Sequence, residues 1–132
     1  MTNPVPPSGA LVATQALRDR IDDLMGRPVP VSTRKPAKQP AEFIVVSRIG
    51  GGRESFATQA PRFLVECYHA DELGAEKLAL TAEHALRAAV GRIYSGGVVN
   101  HWTGDDNLVN FPDPSTSHAR FQFSGALGVG TV

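Results

Sequence analysis

The sequence predicts an α+β domain, a mostly antiparallel sheet of about four to five strands with two helices packed on one face. Three observations carry that expectation. Two stretches with helical apolar spacing begin at good caps, after Ser8 and after Asp71. Two apolar runs, 42–49 and 62–69, are set up to pair as a hairpin. The segment Ala119 to Val129 alternates strictly, with Phe121, Phe123, Leu127 and Val129 on one side and Arg120, Gln122 and Ser124 on the other.

In chain order, residues 1–8 read as an extended Pro-rich lead and 9–132 as one domain. The first helix runs to Met25, where Gly26 supplies a stop and Pro28 prevents resumption. Ala13, Leu17, Ile21 and Leu24 form its apolar stripe, opposite Arg18, Asp19, Asp22 and Asp23. A short strand is expected within 29–32, followed by an extended loop over 33–41 with two prolines and three basic residues. The strand 42–49 has apolar residues at both parities and should be covered on both faces.

Gly50, Gly51 and Gly52 are expected to form a flexible turn that opens a loop of about ten residues. The strand 62–69 then sets Phe63, Val65 and Cys67 on one side. The second helix, capped by Asp71, carries Leu78, Ala79, Ala82, Leu86, Ala89, Val90 and Ile93 as a stripe of many small residues. Another strand is expected at 98–102. The loop 111–114 is stiffened by two prolines that fix φ.

Composition limits the function classes. A chain of 132 residues builds one core, and 42% hydrophobic with 20% charged residues is ordinary globular composition. Thirteen basic residues balance thirteen acidic ones, which removes a general electrostatic case for nucleic acid or an anionic membrane. No apolar run reaches the roughly 18 residues of a membrane span, and Met1 to Ser8 lacks the charge and apolar stretch of a signal peptide. A soluble protein of cytoplasmic birth is expected.

Few residues suggest chemistry. Cys67 is the single cysteine, with His69 two positions on and on the same strand side; a thiol nucleophile would need such a base and an electropositive setting, whereas a strand cysteine is ordinarily a small buried hydrophobe. His101, Asp105, Asp106 and His118 have no ligand spacing that a metal would impose, and His84 has no partner a helical turn away. The glycines before Arg53 lack the lysine and helix start of a phosphate loop. No cofactor is expected. Arg34, Lys35 and Lys38 could meet phosphates, but they have no aromatic stacking partner and read first as a solvated loop. Trp102 fits a core position or an interface anchor equally well.

Three segments carry a resemblance. They are Val31 to Pro36 leading into Phe43 to Arg48; Pro61 to Tyr68 with its Ala-rich helix; and Asn110 to Pro114 followed by Arg120 to Phe123. Together the chain resembles the tail terminator proteins of long-tailed phages, especially those infecting actinobacteria. The resemblance implies a structural virion protein without catalytic residues. It would form a homohexameric ring on the head-proximal end of the tail tube, halt tube polymerisation and meet the head-tail connector, with DNA only in transit through the lumen.

A ring of this kind needs two different patches per subunit. The expected surfaces are Gly50 to Gly52 with Arg53, the basic loop with Arg34, Lys35 and Lys38, and the loop with Phe111 and Asp113, joined by Trp102. The alternatives are another neck or head-closure protein, or a small thiol-dependent enzyme using Cys67 and His69.

Overall fold

The structure, a computed structural model, describes residues 5–55 and 57–132. Of the expected N-terminal extension, residues 1–4 lie outside the described residues. Pro7, just before the first helix, accepts a hydrogen bond from Gln59 Nε2 through its carbonyl at 2.7 Å.

Helix α1 spans Gly9–Met25. Ser8 caps it by accepting from the Leu11 N–H, and Gly26 ends it in the left-handed region at φ 70°, as both residue types favour. Val12, Ala13, Ala16, Leu17 and Ile21 are buried. Leu24, expected in that stripe, is 43% exposed, because the chain turns away from the sheet at Gly26 before the last helical turn reaches the core. Helix α2 spans Glu72–Ala88, with Asp71 accepting from the Gly74 N–H. Its alanines 75, 79, 82 and 85 are all buried, so the helix lies close to the sheet. Val90 and Ile93, expected to extend its stripe, are 46% and 60% exposed: the helix has already ended, and Gly91 at φ 89° redirects the chain.

Among the described residues, seven strands form one sheet: β1 (Val31–Ser32), β2 (Glu42–Arg53), β3 (Thr58–His69), β4 (Ile93–Tyr94), β5 (Gly97–Gly104), β6 (Val109–Asn110) and β7 (Ala119–Thr131). Their order is β1-β2-β3-β7-β5-β4, with β6 also pairing β7. The long strands are antiparallel and β1 joins β2 in parallel, so the sheet is mixed. The expected four to five strands understate it. The extra strands are two-residue pairings, too short to leave a period in the sequence.

The glycine turn is a correction. Gly50, Gly51 and Gly52 lie inside β2, opposite Arg62, Pro61 and Ala60, after a bulge between Arg48 and Gly50. The expected loop of about ten residues is thus far too long, since β2 runs to Arg53 and β3 begins at Thr58. Gly51 has φ 77°, and a Cβ there would lie 2.7 Å from the Arg62 nitrogen and against the Ala60 carbonyl. Glycine here lets two backbones touch beside a proline that cannot donate to the ladder.

Both helices cover one face of the sheet, where Ile44, Val46, Phe63, Val65, Cys67, Phe123, Leu127 and Val129 meet them in the main core. Phe43, Val45 and Tyr68 form a second, separate cluster at the opposite strand parity. The double covering expected for β2 therefore holds over 43–46, but Ile49 is 53% exposed, beyond the reach of either cover.

Candidate functional site

Among the described residues, no helix lies over the second cluster. Its cover consists of the loops 33–41 and 111–118, which cross-link over the end of the sheet where β2 begins, β3 ends and β7 begins. Phe43 stacks on Tyr68 at 4.5 Å with the rings 11° apart, and His118 stands edge-on to Phe43 at 5.4 Å. An offset-stacked aromatic pair of this kind adds about 0.5–1.5 kcal/mol beyond its buried area.

Asp113 ties the two loops together. One carboxylate oxygen accepts from Lys35 Nζ at 2.5 Å and from the Tyr68 hydroxyl at 3.2 Å. The other accepts from the Ser115 N–H at 2.9 Å and its hydroxyl at 2.7 Å. These partners, Lys35 first, hold the Asp113 carboxyl well below the usual carboxylate range. Lys35 Nζ also donates to Ser115 Oγ at 2.6 Å.

Arg120 reaches the same cluster from β7. It donates to Glu66 Oε2 at 2.7 Å and to the Phe111 carbonyl at 2.7 Å, and lies 5.1 Å above the Phe111 ring. Burial, opposed by the hydrogen bond from Arg120, pushes the Tyr68 phenol up to about 12. Farther out, Thr116 Oγ1 donates to Gln39 Oε1 at 2.7 Å, and His118 Nε2 meets the Pro40 carbonyl at 2.7 Å. The result is a pre-ordered platform whose polar groups face one another, leaving Phe111 53% exposed. Such an arrangement suits docking, because little ordering remains to be done on binding.

Not every residue singled out in the sequence joins this platform. Lys35, Phe111 and Asp113 do, so the basic loop and the Phe111 loop are one surface, where two were expected. Asp113 is only 9% exposed and holds the loops together from beneath. Arg34 and Lys38 are exposed alongside. Gly50 to Gly52 and Arg53 lie at the far end of β2.

Trp102 belongs to the core on the opposite face, 6% exposed and edge-on to Phe123 at 6.1 Å. That burial removes it as an interface anchor. Its Nε1 has no hydrogen-bond partner among the described residues.

Glu66, Tyr68 and Arg120 were not singled out in the sequence. They lie on the outward parity of β3 and β7, and Glu66 and Arg120 are partly buried opposite charges, a combination that only register brings together.

The thiol reading loses ground. Cys67 is fully buried, and that burial, with the Glu66 charge, pushes its thiol up. A protonated thiol sealed under two helices is a poor nucleophile. His69 Nδ1 instead accepts from the Asp71 N–H at 3.1 Å. Among the described residues, no group of three or more His, Cys, Asp or Glu could hold a metal ion, and no helix is long and apolar enough to cross a membrane.

Comparison with models of known protein families gives no match, and a search of curated proteins gives none either.

Proposed function

We propose that this chain is a structural virion protein, a tail terminator whose homohexameric ring caps the head-proximal end of a phage tail tube. It stops tube polymerisation and joins the tube to the head-tail connector; DNA only passes through the lumen. The protein works in the virion neck after assembly in the host cytoplasm.

One observation carries this reading. The three segments that resemble the family, distant in sequence, supply the members of a single platform: Lys35 and Phe43 from the first, Glu66 and Tyr68 from the second, Phe111, Asp113 and Arg120 from the third. Here they converge on a rigid surface that presents an exposed aromatic, the kind of residue enriched at binding hot spots.

The test has two parts, the mass of the protein in solution and imaging of tails assembled without it. A ring in solution and tails of uncontrolled length support the reading. Tails of normal, uniform length in its absence sink it, and normal tails that fail to join heads would favour a head-closure subunit.

A further inference from the structure

The sheet leaves two long edges without partners among the described residues. On one side, β1 covers β2 only at Ile44 and Val45. The outer edge of β2 is bare from there on, and Arg48 to Arg53 are all exposed. The Arg48 guanidinium folds back along this stretch and donates to the Gly50 and Gly51 carbonyls, each at 3.3 Å. On the other side, β4 and the turn before it cover β5 only as far as Val99. The edge from Asn100 to Gly104 is bare.

These two edges are matched. The ladders place Gly50, Arg62, Ala126 and Thr103 in one row across the sheet, Arg48, Phe63, Gly125 and Gly104 in a second, and Arg53, Gln59, Val129 and Val99 in a third. The bare stretch of β2 is thus level with that of β5. Because β2, β3, β7 and β5 are successively antiparallel, the two edges also run in opposite directions. A second copy with its helices on the same side therefore brings β2 against β5 in antiparallel sense, with no offset along the strands.

We propose that copies of this chain join through these edges, Arg48–Arg53 of one pairing with Asn100–Gly104 of the next. This rests on the ring reading and names the contact that closes the ring. The contact is heterologous, as a ring of identical subunits requires, and equal heights favour closure over a climbing filament. A sheet edge is a ready template for another strand, and here the complementary template is on the same molecule. Charge agrees: Arg48 and Arg53 flank one edge, and exposed Asp106 follows the other. A Cβ at Gly52 would meet nothing within 4 Å, so a side chain can be placed there without disturbing the strand. Each edge also carries a bulge, between Arg48 and Gly50 on one and between Val99 and His101 on the other.

The experiment measures mass against concentration for the full chain and for Gly52→Lys, Thr103→Lys and Leu73→Lys. Amide exchange is followed at the two edges of the unmodified protein. An edge lysine is a natural block to strand pairing, whereas Leu73 lies on the outer side of α2, 79% exposed and away from both edges.

The expected result is a multimer protected at both edges, weakened at least tenfold by each edge lysine and unchanged by Leu73→Lys. A multimer with freely exchanging edges, or one indifferent to both edge lysines, overturns the pairing and leaves the ring standing. A monomer at every concentration overturns both. The exchange measurement needs no variant, so a substitution that fails to fold does not blunt the test.

Discussion

Replacing Asp113 with Asn keeps the shape of the platform's keystone and removes its charge. The carboxylate accepts four hydrogen bonds, from Lys35, Tyr68 and, twice, Ser115. An amide oxygen can keep the Ser115 bonds but places an N–H donor against the Lys35 ammonium or the Tyr68 hydroxyl. A hydrogen bond to a charged group contributes about 1.5–3 kcal/mol. The Lys35 side chain is 34% exposed and regains water when released, which trims the loss. The expected cost is about 1–2 kcal/mol in urea unfolding, with the slope unchanged.

Two controls isolate the cause. A double-mutant cycle with Lys35→Met should return a coupling of about 1 kcal/mol. Because the folded carboxyl is held below its ordinary value, its contribution is complete above about pH 4, where the unfolded chain also ionises, and is lost as pH falls below that. The variant should lack this acid-side slope. Coupling below about 0.3 kcal/mol, or parallel stability curves through the acid range, would refute the linking role given to Asp113.

Other outcomes follow from the same contacts. Gly51→Ala should cost more than about 2 kcal/mol, since it adds left-handed strain to a backbone collision, while Gly52→Ala stays within about 0.5 kcal/mol; equal effects would mean that β2 is not paired as described. Cys67 should resist alkylation in the folded protein and react only on unfolding, and rapid native labelling would reopen the thiol reading. The two tyrosines, both pushed up to about 12 chiefly by burial, should show no phenolate absorbance near pH 10 while the protein is folded. Gly125→Ala should cost about 1–3 kcal/mol, because a Cβ there lies 2.5 Å from the Trp102 ring; a neutral effect would place that ring elsewhere.

What was legible in the sequence was local. Ser8, Gly26 and Asp71 mark helix ends because capping is a hydrogen bond between near neighbours, and the structure ends the helices where those residues stand. The alternation in β7 was legible for the same reason, since a strand's pattern repeats every two residues, and the hairpin of β2 with β3 showed as two neighbouring apolar runs. The glycine run misled because glycine reports permission for unusual geometry, not its use: Gly50 to Gly52 serve a bulged, tightly paired strand instead of a turn. Leu24, Val90 and Ile93 continue a helical period past the point where the helix still has a sheet beneath it.

The site lay further from the sequence. Lys35 and Asp113 are 78 positions apart, and Arg120 and Glu66 are 54. No pattern within a window of residues links them, because a salt bridge depends on distance in space and the strand register alone sets that distance. The chain by itself determined its caps, its long strands and, for β3 and β7, which side is apolar. Only the tertiary structure decided that two loops form one platform, that Trp102 is core, and that two bare edges stand level across one sheet, because each depends on how strands far apart in sequence align.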